Sequence, residues 1–193
     1  MSELLLITLG AALVNNFVLV QFLGVCPFVS GSQRVESAIG LGVATGLVLT
    51  VTAGATQLVE RYLLRPYELE HLRLFAFLVT TGVVVGLVEL AIRRFSPLLK
   101  RVLGLYIPLV ATNCAVLGLA LINATASRTF VAALFYGAGA AFGFALALVM
   151  FAGLRERLVY ADVPVAFRGP SIAFVTAGIL ALAFMAFSGF ARL

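Results

Sequence analysis

The sequence predicts an all-α membrane protein whose six transmembrane helices form two inverted three-helix repeats. Three observations predict this fold. The 193 residues are 63% hydrophobic and only 11% charged, which leaves too few polar side chains to cover a water-soluble core. Six apolar stretches, each about as long as the roughly 20 residues of a helical crossing, alternate with short charged loops. A cluster of glycine and alanine recurs after 97 residues.

The predicted spans account for almost the whole chain, so we predict a single integral membrane domain over residues 1–193. The face that holds both termini carries five Lys or Arg residues in this topology, and the opposite face carries eight. The richer face is expected in the cytoplasm, which places both termini on the outer side. The net charge of +5 therefore indicates orientation and not nucleic-acid binding. The six spans are predicted at residues 4–28, 38–59, 72–92, 102–122, 131–153 and 171–190.

The internal repeat pairs "GLGVATG" (residues 40–46) with "GAGAAFG" (residues 137–143), and in the same register Asn16 meets Asn113. Three helices is an odd number, so the second copy (about 98–193) would enter the membrane from the side opposite to the first (about 1–96). Inverted repeats place a functional centre near the midplane, where pieces of both halves meet. The alternative is that glycine-rich membrane helices resemble one another without common descent.

The first span contains "VNNFVLVQFLGVCPF", which brings Asn15 and Asn16 into the hydrocarbon region. Buried amides are costly unless they are hydrogen-bonded, so both should face protein. Pro27 has no backbone N–H and disfavours the helical conformation at Cys26, and Gly24 loosens the same turn. Irregular backbone at this depth is tolerated only where protein or a cavity surrounds it, so we expect Cys26 to be shielded from lipid.

The fourth span contains the counterpart, "YIPLVATNCAVLG", in which Pro108 frees a carbonyl and Thr112 and Asn113 abut Cys114. Thiolates beside amides and broken helix suit a metal site whose sulfur atoms accept hydrogen bonds. Two inert cysteines, a disulfide, or structural zinc with His71 are the alternatives. The residues that we expect to surround the two thiolates are Asn15, Asn16, Gly24, Pro27, Thr112 and Asn113.

The two cysteines reach one site only if the first span is interrupted. An unbroken helix would put Cys26 near the end of its span, whereas Cys114 lies near the middle of the fourth. The break is expected at Asn15 and Asn16 or at Gly24. Two thiolates cannot complete an iron–sulfur cluster that takes four protein ligands, so a second protein would have to supply the others.

Glu89, in "GLVELAIRRF", is interpreted as the one carboxylate inside a predicted span. It is a candidate ion relay, and the alternative is a pair with Arg93 at the i, i+4 spacing. The loop "RERLVYADVPVAFRG" is interpreted as solvated, with docking of a partner as the alternative.

The segments "VNNFVLVQFLGVCPF", "PLVATNCAVLGLALIN", "LRERLVYADVPVAFRG" and "VTAGILALAFMAFSG" strongly resemble the A-type subunits of Rnf electron-transport complexes. They resemble more distantly the D- and E-type subunits of the sodium-pumping NADH:quinone oxidoreductase. The resemblance covers essentially the whole chain. It implies a protein that pairs with a homologous, oppositely oriented E-type Rnf subunit. The pair would share one [2Fe-2S] cluster, and this chain's ligands would be Cys26 and Cys114.

The same resemblance implies a complex of the bacterial inner membrane that also contains Rnf subunits of types B, C, D and G. Such a complex passes electrons between ferredoxin and NAD and couples this flow to movement of sodium ions or protons. This chain would be an electron-relaying subunit of a redox-driven translocase, without a nucleotide site of its own. Two other functions stay open at this point: an inverted-repeat secondary transporter of an ion or small solute, and a purely structural assembly subunit.

Overall fold

A computed structural model gives the fold of the chain, and every regular element in the part it describes is a helix. The structure describes residues 7–14, 16–64, 66, 70–95, 113–126, 128–162, 164 and 167–190. We number the helices α1 to α7 in chain order. They are α1 (residues 7–14, a π-helix over Gly10–Val14), α2 (Val25–Gly31), α3 (Val35–Val59, continued by the π-turn Glu60–Leu64), α4 (Arg73–Phe95), α5 (Cys114–Thr125), α6 (Phe130–Val159) and α7 (Pro170–Phe190).

Three helices are long and apolar enough to cross a membrane, namely Val35–Leu64, Arg73–Ala91 and Phe130–Val159. Two shorter apolar helices, Cys114–Thr125 and Pro170–Ala186, accompany them. The spans predicted at 38–59, 72–92, 131–153 and 171–190 each coincide with a helix. Most of the span predicted at 102–122, including Pro108, lies outside the described residues.

The centre of the fold is an antiparallel pair, α3 and α6, that packs through small residues. A Cβ added to Gly42 would lie 3.1 Å from the Cβ of Ala145, and one added to Gly46 would lie 3.3 Å from that of Ala141. Residue numbers rise along one helix as they fall along the other, which defines the antiparallel direction. Small side chains allow the two backbones to approach closely, as is typical of helix pairs in membranes. Gly42 and Gly46 of the first glycine cluster and Gly137 of the second therefore lie in this helix–helix contact.

Helix α1 packs its backbone directly on α6. A Cβ on Gly139 would lie 2.5 Å from the carbonyl oxygen of Thr8, and one on Gly143 would lie 2.6 Å from that of Ala12. These distances are shorter than a carbon–oxygen contact allows, so only glycine permits this approach. Two glycines one turn apart thus hold α1 against the middle of α6.

The first predicted span is not one helix. Helix α1 ends at Val14, turns occupy residues 17–20, and the chain becomes helical again only at Val25. Gly24 has φ +82° and Phe22 has φ +54°, so both lie in the left-handed region. The prediction that the first span breaks between Asn15 and Gly24 is confirmed.

One detail of that prediction is wrong. Pro27 does not hold Cys26 out of a helix, because both residues lie in the first turn of α2. The N–H groups of a first turn have no partner inside the helix, so proline is tolerated there. The interruption comes before the cysteine, and the left-handed backbone of Gly24 produces it.

Candidate functional site

The side chain of Cys114 contacts the backbone two residues before Cys26. The backbone N–H of Gly24 donates a hydrogen bond to the Sγ atom of Cys114, with a nitrogen–sulfur distance of 3.0 Å. Gly24 lies two residues before Cys26, and Cys114 is the first residue of α5. The break in the first span and the beginning of α5 therefore form one local structure. Both cysteines lie in the first turn of a helix that starts there.

Gly24 is required at this contact for two reasons. Its φ of +82° is unfavourable for any residue with a Cβ. A Cβ at this position would also lie 3.0 Å from Oδ1 of Asn113, 3.2 Å from Cβ of Ala115 and 3.3 Å from a ring carbon of Phe144. The chain passes here with no room for a side chain, which brings its amide within reach of the sulfur.

Asn113 caps α5 beside Cys114. Its Oδ1 atom accepts a hydrogen bond from the N–H of Ala115 at 3.0 Å, which satisfies one of the free donors of the first turn. Its side chain is buried, and its Nδ2 atom makes no hydrogen bond to any atom of the described residues. A buried amide donor without a partner is costly. Among the described residues Asn113 therefore holds an N–H donor without an acceptor, next in sequence to Cys114.

Asn16, the counterpart of Asn113 in the predicted repeat, is fully engaged by the fold. Its Oδ1 accepts from the N–H of Val18 at 3.1 Å, which stabilises the turn after α1. Its Nδ2 donates to the carbonyl oxygens of Ala12 at 3.2 Å and Gly143 at 2.8 Å. The side chain is completely buried. Asn16 thus satisfies backbone groups that the break leaves free and ties the break to α6.

The contact between Gly24 and Cys114 lies near the middle of the bundle, measured along the axis of α6. Phe144, which touches the Gly24 position, is the fifteenth of the 30 residues of α6, so about 22 Å of helix extends on either side. Phe28 stacks on Phe151, with the ring centroids 4.6 Å apart. Cys26, between Gly24 and Phe28, lies between those two levels of α6. The interruption of the first span therefore brings Gly24 to the level of the middle of α6.

Laterally, both cysteines are exposed on this chain. Cys26 opens into a cavity of about 420 Å³ that is also lined by Ser30, Gln33 and Arg155. The chain alone therefore does not provide the shielding that we expected for Cys26. The described residues contain no group of three or more His, Cys, Asp or Glu side chains that could hold a metal ion. The side chains of Cys26 and Cys114 are thus both open to the surroundings of the described chain.

The other predicted site residues are placed as follows. Asn15 and Thr112 lie outside the described residues. Pro27 is buried in the first turn of α2. Glu89 is half-buried in α4, and the side chain of Arg93 lies outside the described part, so the proposed pair and the proposed ion relay both stay predictions.

The interpretation of Glu89 as the only carboxylate in a span is wrong, because α3 continues to Leu64 and carries Glu60 inside. The Glu60 carboxylate is buried and accepts a hydrogen bond from Arg73 of α4 at 2.7 Å. Thr52 and Thr56 are buried at four-residue steps before it. Polar residues at i, i+4 and i+8 lie on one face of a helix, so this pattern could have predicted that the helix continues past residue 59.

Arg155 is a second residue whose role the sequence did not indicate. It lies in a segment that was interpreted as a solvated loop, but α6 continues through it to Val159. Its Nη1 atom donates to the carbonyl oxygen of Val29 at 2.7 Å and to the hydroxyl of Ser32 at 2.9 Å. Arg155 therefore joins the end of α6 to the segment that carries Cys26.

Comparison with known proteins gives a consistent result. Residues 4–191 match the protein family described as "Rnf-Nqr subunit, membrane protein". The A-type subunit of the "Ion-translocating oxidoreductase complex" of Aliivibrio fischeri is 51% identical over 193 residues, which is the whole length of both chains. The proteins of the same name from Vibrio cholerae and Vibrio vulnificus are each 50% identical over the whole length of both chains.

Proposed function

Because the chain belongs to the Rnf-Nqr family of membrane subunits, we propose that it is the electron-relaying subunit of an ion-translocating ferredoxin:NAD oxidoreductase complex. In this function Cys26 and Cys114 hold half of an intramembrane [2Fe-2S] cluster. The observation that carries the proposal is the hydrogen bond from the Gly24 N–H to the Cys114 sulfur, which brings both cysteine segments together deep in the bundle.

The residues present fit half of such a site. Each cysteine lies in the first turn of a helix, α2 for Cys26 and α5 for Cys114. The Gly24 N–H already donates to one sulfur, and Asn113, next in sequence to Cys114, has a buried Nδ2 donor without an acceptor among the described residues. Hydrogen bonds to the sulfur atoms of iron–sulfur clusters adjust their reduction potential. In the proposed site the chain supplies two sulfur ligands and at least one donor that tunes them.

The cluster, when bound, supplies a one-electron carrier within the membrane. Four cysteine thiolates are the usual ligands of a [2Fe-2S] cluster, so two must come from another chain. The lateral exposure of both cysteines supports this arrangement, since a partner can approach them from the open face. The partner that we propose is the homologous E-type Rnf subunit in the opposite orientation, within a complex that also contains subunits of types B, C, D and G. That complex couples electron flow to translocation of sodium ions or protons.

The helix bounds support the proposed inverted repeat. Helix α4 begins at Arg73 and α7 begins at Pro170, which differ by the 97 residues of the repeat. Applied to Val35–Leu64, the same shift reproduces the bounds of Phe130–Val159 to within two residues. Asn16 and Asn113, also 97 residues apart, each accept a hydrogen bond from the backbone N–H two residues later. With six spans both termini lie on the same side of the bacterial inner membrane, and the excess of Lys and Arg in the loops of the other side supports the periplasmic side.

The rival function, a secondary transporter, would use the intramembrane asparagines to bind a solute. Asn16 is not available for this, because its amide oxygen and nitrogen are both bonded to backbone groups. Its role in the fold is to stabilise the break. This observation favours the electron-relay function.

The test is to remove each thiol in the purified complex. We expect Cys26→Ala and Cys114→Ala each to abolish the EPR signal of one [2Fe-2S] cluster and to lower the iron content by two atoms per complex. Ferredoxin-linked NAD reduction should fall at least 100-fold, because the relay is interrupted. Thr125→Ala is the matched control, since Thr125 ends the helix that Cys114 begins and its exposed hydroxyl donates to the Ile122 carbonyl. Unchanged iron and EPR signals in both cysteine variants would contradict the proposal.

A further inference from the structure

We infer that Arg155 is a positioning residue for Cys26 and that it also provides a positive charge that raises the reduction potential of the cluster. This inference rests on the proposed function. It concerns a residue near the C-terminal end of α6, more than one hundred residues from the cysteine in sequence. Three features of the structure support it: the shortness of α2, the contacts that hold α2, and the cavity that Arg155 and Cys26 share.

Helix α2 cannot fix the orientation of Cys26 by itself. It has only seven residues, and helices this short are unstable without tertiary contacts. Gly24, at its N-cap position, has no side chain with which to bond the free N–H groups of the first turn. The direction in which Cys26 points is therefore determined by what contacts the rest of α2.

The end of α2 is held by Arg155. Its Nη1 atom donates to the Val29 carbonyl oxygen at 2.7 Å and to the Ser32 hydroxyl at 2.9 Å, and that hydroxyl donates in turn to the Val29 carbonyl at 3.1 Å. The carbonyl groups of a last helical turn have no partner inside the helix. Arg155 thus satisfies a carbonyl group in the last turn of α2, the helix that carries Cys26.

The same end of α6 makes two further contacts around this segment. One turn before Arg155, the Phe151 ring stacks on Phe28 at an interplanar angle of 15°. Next to Arg155, the Glu156 carboxylate accepts a hydrogen bond from the N–H of Val35, the first residue of α3, at 3.0 Å. The last turns of α6 therefore hold both the end of α2 and the beginning of α3.

Arg155 is also placed near Cys26, where its positive charge can act on a cluster bound to that cysteine. Both residues line the same cavity of about 420 Å³. Val29 follows Cys26 by three residues, which is about 4.5 Å along a helix axis. The Glu156 carboxylate, the negative charge next in sequence to Arg155, is exposed and bonded to the Val35 N–H. A cluster becomes more negative on reduction, so a nearby guanidinium favours its reduced form.

The experiment is a redox titration of the purified complex, followed by the EPR signal of the cluster, for three variants. Arg155→Gln removes the charge, and we expect at least a tenfold shift of the equilibrium toward the oxidised form, about 59 mV for one electron. Arg155→Lys keeps the charge but loses the planar guanidinium, so we expect a smaller shift with a changed EPR line shape. Arg157→Gln removes the same charge from an exposed position two residues away and should leave the potential unchanged.

Ser32→Ala separates the effect of the position of Cys26 from the effect of the Arg155 charge. It removes one hydrogen-bond acceptor of Arg155 and keeps the guanidinium group. We expect less iron per complex at an unchanged potential. This variant and Arg155→Lys carry the test if Arg155→Gln does not assemble. A wild-type potential in Arg155→Gln, or a Ser32→Ala complex identical to wild type, would overturn the inference. If the cysteine variants meanwhile lose the cluster, the proposed function stands, whereas retention of the cluster in those variants would overturn both.

Discussion

The two cysteines are held in position by two different means, although the proposed internal repeat relates the segments that carry them. Residues 113–125 form one helix that starts at the cysteine and is capped by the residue before it. Residues 16–31 contain a turn, a left-handed glycine and a seven-residue helix, and these are held by α6 at three levels. The position of Cys114 is thus locally encoded, whereas that of Cys26 depends on contacts distant in sequence. Each of the following substitutions tests that difference.

The largest effect is expected from Asn16→Ala. This change leaves the N–H of Val18 and the carbonyl of Gly143 without their partners at a buried site. Each buried group left unsatisfied costs about 1–3 kcal/mol, so we expect the free energy of unfolding of the detergent-solubilised chain to fall by about 2–4 kcal/mol. An effect no larger than that of the equivalent change at Asn113 would contradict the proposed difference between the segments.

A somewhat smaller effect is expected from Gly24→Ala. The left-handed backbone costs a residue with a Cβ about 1–2 kcal/mol, and the new methyl group would press against Asn113 and Phe144. The amide would then move from the Cys114 sulfur, so iron per complex should fall together with the thermal midpoint. Gly82→Ala is the control, because a Cβ there meets nothing within 4 Å. Equal iron contents in the two variants would show that the amide–sulfur contact is unimportant.

The smallest effect is expected from Asn113→Ala, which removes a single capping bond. Loss of an N-cap costs about 1 kcal/mol, measured as a shift in the thermal midpoint of the complex. The reduction potential of the cluster should also fall, because the spare Nδ2 donor is lost. Asn113→Ser restores the cap without that donor, and we expect it to recover stability but not potential. Recovery of both would show that the donor does not act on the sulfur.

Much of the fold could be predicted from the sequence because apolar length and flanking charge determine a membrane helix. The spans predicted at 72–92 and 171–190 agree with α4 and α7 at Arg73–Phe95 and Pro170–Phe190 to within three residues. The end of α3 was missed, since the charged Glu60 indicates a loop unless its buried partner, Arg73, is known. That pairing joins two helices, so the only local signal was the four-residue spacing of Thr52, Thr56 and Glu60.

The site could be predicted only in part for the same reason. Asn113 caps the helix that begins at Cys114, which is a local pattern of the sequence, although Asn113 was proposed only as a neighbour of the thiolate. The break before Cys26 was expected, but the expectation relied partly on Pro27, whereas Gly24 and Asn16 produce it through contacts with α5 and α6. Arg155 was assigned to a solvated loop, because charge in a short interhelical segment usually indicates exposure. Contacts over more than one hundred residues decided each of these points.

The bond between the Gly24 amide and the Cys114 sulfur has a consequence for biogenesis. Ninety residues separate its two ends, and α3 and α4 lie between them in the sequence. During synthesis the amino-terminal segment therefore emerges long before its counterpart exists, and its left-handed turn has no sulfur to bond. We expect iron to be acquired late, after both halves have been inserted. A nascent chain would thus be protected from capturing metal on a single cysteine.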